Sequence, residues 1–266
     1  MINILEYGFI TNSVLAAIFA AISCGLIGTY IVTRRMVFVS GGLTHASFGG
    51  IGIGYFAGIN PILGAAIFSV LAALGIERFS YKRMLRQDSV IAMLWSLGMA
   101  LGIIFIYITP GYAPNLMSYL FGSILTVSAV DIWSLGILSL ISVAVFVLIY
   151  KAILYVSFDE DYARTRNLPV QAIKYLMISL VALAIVFNIR VVGIILVLSL
   201  LTVPQSIVNL FTKDYRKILI YSVLTAMIGT LSGLAASWWL NIPSGATIVF
   251  VLILMFFLAS GIKKIL

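Results

Sequence analysis

The chain has 266 residues, of which 63% are hydrophobic and only 9% charged, whereas soluble domains average roughly 45–50% apolar and about 25% charged. That composition excludes a soluble enzyme or binding module and predicts one transmembrane domain over 1–266, with no polar stretch long enough for a second domain. The formal net charge of +8 does not call for nucleic acid, because in so apolar a chain a basic excess marks loops kept on the cytoplasmic side of a bilayer.

A helix needs about 20 apolar residues to cross a hydrocarbon core of roughly 30 Å. The apolar runs predict spans near 9–32, 37–57, 62–79, 89–109, 132–155, 171–189, 191–211, 218–240 and 244–262. The first run has no Lys or Arg before it and is too long for a signal sequence, so it reads as a retained helix. Cys24 is the lone cysteine, which leaves no disulfide framework and a small apolar packing role. Alternating the spans from an external N-terminus leaves Arg190 alone outside among the 16 Lys and Arg residues, so the expected topology is N-terminus out and C-terminus in.

Between Arg35 and the third span lies Met36 to Gly58, MVFVSGGLTHASFGGIGIGYFAG, with the single histidine, His45, and an unusual density of glycine. On a helix, positions 41, 45, 49 and 52 share a face, so Gly41, Gly49 and Gly52 would clear space around His45. Gly50, Gly54 and Gly58 follow the small-xxx-small spacing that lets helices approach closely, and read as a packing set. Gly52, Gly54 and Ala57 also match G-x-G-x-x-A, but that dinucleotide fingerprint has meaning only between a strand and a helix. An imidazole within a membrane span marks an ion or substrate path by default. It suits zinc, copper, iron or nickel and can bind manganese among mixed ligands, while proton relay and packing stay open as alternatives.

Farther along, 109–131 is apolar but opens on Pro110, Gly111 and Pro114 and has no basic flank. Counted as a span it would invert the topology after it, so it is expected to be a re-entrant or short external helix. The segment SFDEDYARTRNLP, 157–169, predicts a short cytoplasmic helix: Asp159 caps it, Glu160 and Asp161 favour its positive end, Arg164 and Arg166 its negative end, and Asn167 and Pro169 stop it. In the seventh span Ser199, Thr202, Ser206 and Asn209 line one face, with Gln205 beside them and Pro204 weakening the ladder. That stripe fits a hydrated pathway or helix association equally.

No G-x-x-x-x-G-K-[ST] phosphate loop and no H-E-x-x-H is present, so ATP-driven work would need a partner carrying the motor. Taken together, RRMVFVSGGLTHA, DSVIAMLWSLGMALG, LMSYLFGSILTVS, VGIILVLSLLTVP, LNIPSGATIVF and FDEDYARTRNLP, in that order, resemble the membrane permeases of the metal-uptake ABC transporters, the ABC-3 type. The resemblance implies an all-α polytopic fold of about eight or nine transmembrane helices in the cell (inner) membrane. It implies transport of a divalent zinc, manganese or iron ion with no permanently bound cofactor, and ATP used by a cytoplasmic ABC ATPase. The implied partners are a second copy of the permease, that ATPase and an extracytoplasmic metal-binding protein.

In the same terms, His45 falls on the family's histidine, and the coupling segment is carried by Phe158, Asp159, Tyr162, Ala163, Arg164, Asn167 and Pro169. Where the family typically has an aspartate one turn before the histidine, Gly41 stands, and Asn241 replaces another carboxylate. Two rivals differ in class. A channel or proton-coupled carrier would use His45 as a relay without ATP. An intramembrane enzyme is disfavoured, because no nucleophile and base or paired carboxylates stand out at membrane depth.

Overall fold

The computed structural model describes residues 8–81, 86–110, 122, 124 and 127–265, and among them the regular structure is helical. The helices are α1 (Gly8–Thr33), α2 (Val37–Phe56), α3 (Pro61–Tyr81), α4 (Gln87–Ile108), α5 (Ala129–Leu148) and α6 (Tyr150–Phe158). They continue with α7 (Glu160–Thr165), α8 (Val170–Val192), α9 (Ile194–Leu200), α10 (Val203–Phe211), α11 (Tyr215–Leu240) and α12 (Ser244–Ile265). Eight described segments are long and apolar enough to cross a membrane, with α9 and α10 counted as one. Helix α2 has 20 residues but is not among the eight, because its glycines, hydroxyls and His45 dilute its hydropathy.

Two expectations are corrected. The fifth span does not run from 132 to 155 as one helix: α5 ends at Leu148, and α6 starts afresh after Ile149, whose φ of −116° and ψ of 26° leave the helical region. The seventh span is likewise two helices, with a turn at Leu201 and Thr202 just ahead of Pro204, which occupies the first turn of α10 where its missing N–H costs nothing. Gly193, at φ +79°, separates α8 from α9 in a conformation few other residues adopt. The re-entrant element expected over 109–131 falls mainly outside the described residues.

The chain divides into two compact units. One contains α1, α5, α9 to α12 and residues 188–192. Its α1 packs on α11, where a Cβ on Gly25 would stand 2.7 Å from the Val223 side chain, and on α5, where Ser139 Oγ donates to the Phe19 carbonyl at 2.8 Å. Helix α11 meets α12 through Gly233 against Ile248. The other unit contains α2, α3, α4, α6, α7 and α8 up to residue 187.

Within the second unit α2 is central, packed against both α3 and α4. The contacts run backbone to backbone at glycine: Gly50 lies against Gly64 and Gly54 against Pro61 on α3, and on α4 Gly98 faces Ala46 while Gly102 faces Phe48. Lipid tails are as apolar as leucine, so helix association in a bilayer depends on such close van der Waals approach rather than on hydrophobic expulsion. The glycines of α2 therefore hold in place the helix that carries His45.

Candidate functional site: His45 and the short helix α7

His45 is half-buried, and its ring stacks face to face on Trp95 of α4, with centroids 4.4 Å apart and planes within 3°. Its Nδ1 is buried without a hydrogen-bond partner. The neighbouring hydroxyls are already committed, since Ser40 Oγ donates to Val37 O at 2.8 Å, Thr44 Oγ1 to Ser40 O at 2.7 Å and Ser47 Oγ to Thr44 O at 2.6 Å. A neutral imidazole with a free nitrogen is a borderline-soft ligand. Among the described residues no group of three or more His, Cys, Asp and Glu is placed to hold a metal. A single nitrogen donor suits passing contact with a cation, since a permeation site must also release what it binds.

The glycine face expected around His45 is corrected. Gly49 is not cleared space, because a Cβ there would lie 3.0 Å from Gly98 O and 3.1 Å from the Phe68 ring. Gly52 is equally filled, 2.6 Å from Gly102 O. Only Gly41 of that set opens on empty space, with no atom within 4 Å of a Cβ position. In the other set, Gly50 and Gly54 face α3 closely, but a Cβ on Gly58 would meet no atom within 4 Å, and the residue sits at φ +66° in the turn after α2.

The turn at 201–202 divides the polar stripe of the seventh span between α9 and α10. Ser199, Thr202 and Ser206 donate their hydroxyls to the carbonyls of Ile195, Leu198 and Thr202 at 3.1, 2.8 and 2.7 Å. Gln205 is fully buried, and its Nε2 donates to Cys24 O at 3.0 Å, Leu200 O at 3.2 Å and Gly25 O at 3.3 Å, tying α10 to α1. Asn209 is half-buried and offers its backbone carbonyl to Lys213 Nζ at 2.8 Å. Of these side chains Gln205 joins α10 to α1, while Ser199, Thr202 and Ser206 bond back to carbonyls four residues earlier in their own segment.

Helix α7 is fixed at both ends. Asp159 Oδ1 accepts from the N–H of Asp161 at 3.0 Å and of Tyr162 at 2.9 Å, an N-cap by the chain's own side chain. At the other end Asn167 is left-handed at φ +55°. There Leu168 N donates to Ala163 O at 3.1 Å and Asn167 N to Arg164 O at 2.9 Å, the paired bonds of a Schellman stop. Ala163 is buried, whereas Phe158 and Tyr162 are exposed, at 62% and 40%, beside exposed Arg164 and Asn167. The Tyr162 hydroxyl accepts from Arg166 Nε and Nη2 at 3.0 and 2.9 Å, and Pro169 leads into α8.

A model of the ABC 3 transport family matches residues 6–263. The chain belongs to that family. Within the ABC 3 transport family, an uncharacterized membrane protein of Synechocystis, slr2045, is 39% identical over 264 residues, covering 99% of this chain and 94% of that one. The manganese transport system membrane protein MntC of Listeria monocytogenes is 32% identical over 257 residues, covering 97% and 91%. The fold matches a solved structure of PsaBC from Streptococcus pneumoniae in complex with Fab at a TM-score of 0.85 and 26% identity, covering 96% of this chain and 92% of that chain. Membership makes this a membrane protein and a permease of the ABC 3 transport family.

Two features of this ABC 3 permease escape a reading of its sequence. Trp95 is one, although a tryptophan in the interior of an apolar span, away from the interfacial belts, is a signal in itself. Glu77 is the other: an acid in the third apolar run needs a partner, and the structure supplies Lys174 Nζ 2.8 Å from Glu77 Oε1.

Proposed function

We propose that this chain is the membrane permease subunit of an ATP-driven importer for a divalent transition-metal ion, of the zinc, manganese and iron class. The observation that carries the reading is α7, a six-residue helix capped at both ends that exposes Phe158 and Tyr162, in a family of ABC transport proteins and a chain without a phosphate loop. Such a helix has the properties of a docking element: its shape is set locally, and aromatic side chains face outward for a partner surface. The partner is a cytoplasmic ABC ATPase that contacts Phe158, Asp159, Tyr162, Ala163, Arg164, Asn167 and Pro169. The N-terminus lies outside and the C-terminus inside, which puts α7 on the ATPase side. A second copy of the permease and an extracytoplasmic metal-binding protein complete the assembly. The ion passes His45, whose Nδ1 is a transient ligand. The name of the Listeria relative, a manganese transport system membrane protein, supports a metal cargo.

The test is co-purification followed by transport. The full chain expressed with its host's ATPases is expected to retain one of them, and Asp159→Pro, which removes both the cap and the backbone geometry of α7, is expected to release it. In proteoliposomes, Mn²⁺ or Zn²⁺ uptake should then require that ATPase and ATP. Uptake by the chain alone, driven by a proton gradient, would reverse the assignment in favour of a carrier using His45 as a relay.

A further inference from the structure

The helix α7 is short, and Ala163 is its only buried residue, so its caps define its shape but not its attachment. Attachment comes from Glu160. Its Oε1 lies 2.6 Å from Arg34 Nη2 and 3.1 Å from Lys174 Nζ, and its Oε2 lies 3.4 Å from the same Lys174 Nζ. Lys174 in turn pairs with Glu77, whose side chain is only 6% exposed, and Arg34 Nη1 donates to the Val156 carbonyl at the end of α6 at 2.9 Å. The cluster therefore joins α7 to the end of α6, to α8 through Lys174, to α3 through Glu77, and to the turn that starts α2 through Arg34. All of these belong to one compact unit.

Two carboxylates face two cations, so the group is neutral as a whole. Burial alone would raise the Glu160 carboxyl, but the hydrogen bonds and charges of Arg34 and Lys174 outweigh it and hold the group below its ordinary value. Glu160 is ionised at neutral pH and shared between two cations that come from different elements.

We propose that Glu160 is the positioning residue through which displacement of α7 reaches the membrane helices, with Arg34 passing it to α2 and His45 and with Lys174 and Glu77 passing it to α8 and α3. The inference rests on the reading of α7 as the ATPase contact. A tie made of discrete ion pairs has two well-separated arrangements, paired and broken, and so transmits movement as a unit rather than yielding gradually. Arg34 is the member that leads to the histidine, since Met36 O accepts the Ser40 N–H at 3.2 Å and so begins α2 directly after the turn that carries it.

The experiment uses the full chain with its co-purifying ATPase in proteoliposomes, with Mn²⁺ as the cargo, and reads ATPase retention, ATP hydrolysis and ions moved per ATP. Glu160→Gln keeps the length of the side chain and removes its charge. It is expected to retain the ATPase and its hydrolysis while ions moved per ATP fall about tenfold, within the range of coupling energies measured across such networks. Glu160→Asp should be intermediate, and Lys174→Gln should lower the ratio less. Unchanged transport per ATP in Glu160→Gln would overturn the proposal, as would parallel loss of transport and ATPase binding, which assigns Glu160 to docking instead. Should Glu160→Gln not fold, Glu160→Asp and Lys174→Gln decide by the same ratio. Failure of the wild-type chain to retain any ATPase would overturn the docking reading itself, a result distinct from a docked but fully coupled variant.

Discussion

His45 and Trp95 lie face to face, with ring centroids 4.4 Å apart and planes within 3° of parallel, although they come from different helices. The indole covers one face of the imidazole and fixes its plane, so the direction of the free Nδ1 lone pair or N–H is set by α4 as well as by α2. An aromatic pair contributes about 0.5–1.5 kcal/mol beyond buried area. Trp95→Ala is therefore expected to raise KM for Mn²⁺ uptake roughly threefold to tenfold in proteoliposomes, while Trp95→Phe keeps most of the stack. His45→Ala should be worse than either. Wild-type uptake by His45→Ala would remove the histidine from the path.

Gly41 is one turn from His45, and a Cβ there meets no atom within 4 Å, so Gly41→Asp adds a carboxylate on the helix face of the imidazole. A hard, charged ligand next to the nitrogen is expected to tighten Mn²⁺ binding about tenfold, the direction in which ligand charge tunes divalent cation sites. It should slow release at the same time. Equilibrium binding to the purified full chain checks the first effect and single-turnover uptake the second. Unchanged affinity would mean that position 41 does not face the ion.

The membrane class, the helical runs and both ends of α7 were legible because each depends on composition or on residues within one turn: Asp159 caps N–H groups two and three residues away, and Asn167 stops the helix by bonding back to the Arg164 carbonyl three residues earlier. What the pattern of glycines meant was not legible, because openness is a property of the neighbour. Gly41 and Gly49 are alike in sequence, yet α4 fills one and leaves the other free. Gln205 likewise looked like a lining residue, and its partner carbonyl at Cys24 lies 181 positions away. The pairing of Glu77 with Lys174 has the same long-range origin.

The glycines of α2 and of the turn after it should sort by stability. A Cβ on Gly52 would lie 2.6 Å from the Gly102 carbonyl oxygen, and one on Gly54 2.7 Å from the Pro61 Cα, both backbone atoms that cannot turn aside. Gly52→Ala and Gly54→Ala are expected to cost about 1–3 kcal/mol each, as overpacking does. Gly58→Ala meets no atom and costs only its left-handed backbone, about 1 kcal/mol. Unfolding of the purified chain by increasing denaturing detergent checks the order. Equal loss at 52 and 58 would show that the close α2 and α4 contact is absent in the membrane.

Acid should loosen α7 through Glu160. Its carboxyl is raised by burial but lowered more by Arg34 and Lys174, so its value in the folded chain lies below the ordinary 4.5. The unfolded chain therefore binds the proton more readily, and stability rises with pH through this interval. The contribution of Glu160 is fully present above the unfolded value of 4.5 and is lost as pH falls through the lower folded value. Transport and stability should thus show no pH dependence from Glu160 between neutrality and about pH 5, then decline below it as the carboxyl protonates and leaves Arg34 and Lys174 facing Glu77 alone. Glu160→Gln should be less stable than wild type near neutrality and should lack this part of the acid-side decline, so the two stability curves converge at low pH. The measurement is the denaturant midpoint of unfolding of both chains from pH 7 downwards, compared at constant slope. Parallel curves over the whole range would show that the ion pairs at Glu160 do not form in the folded protein.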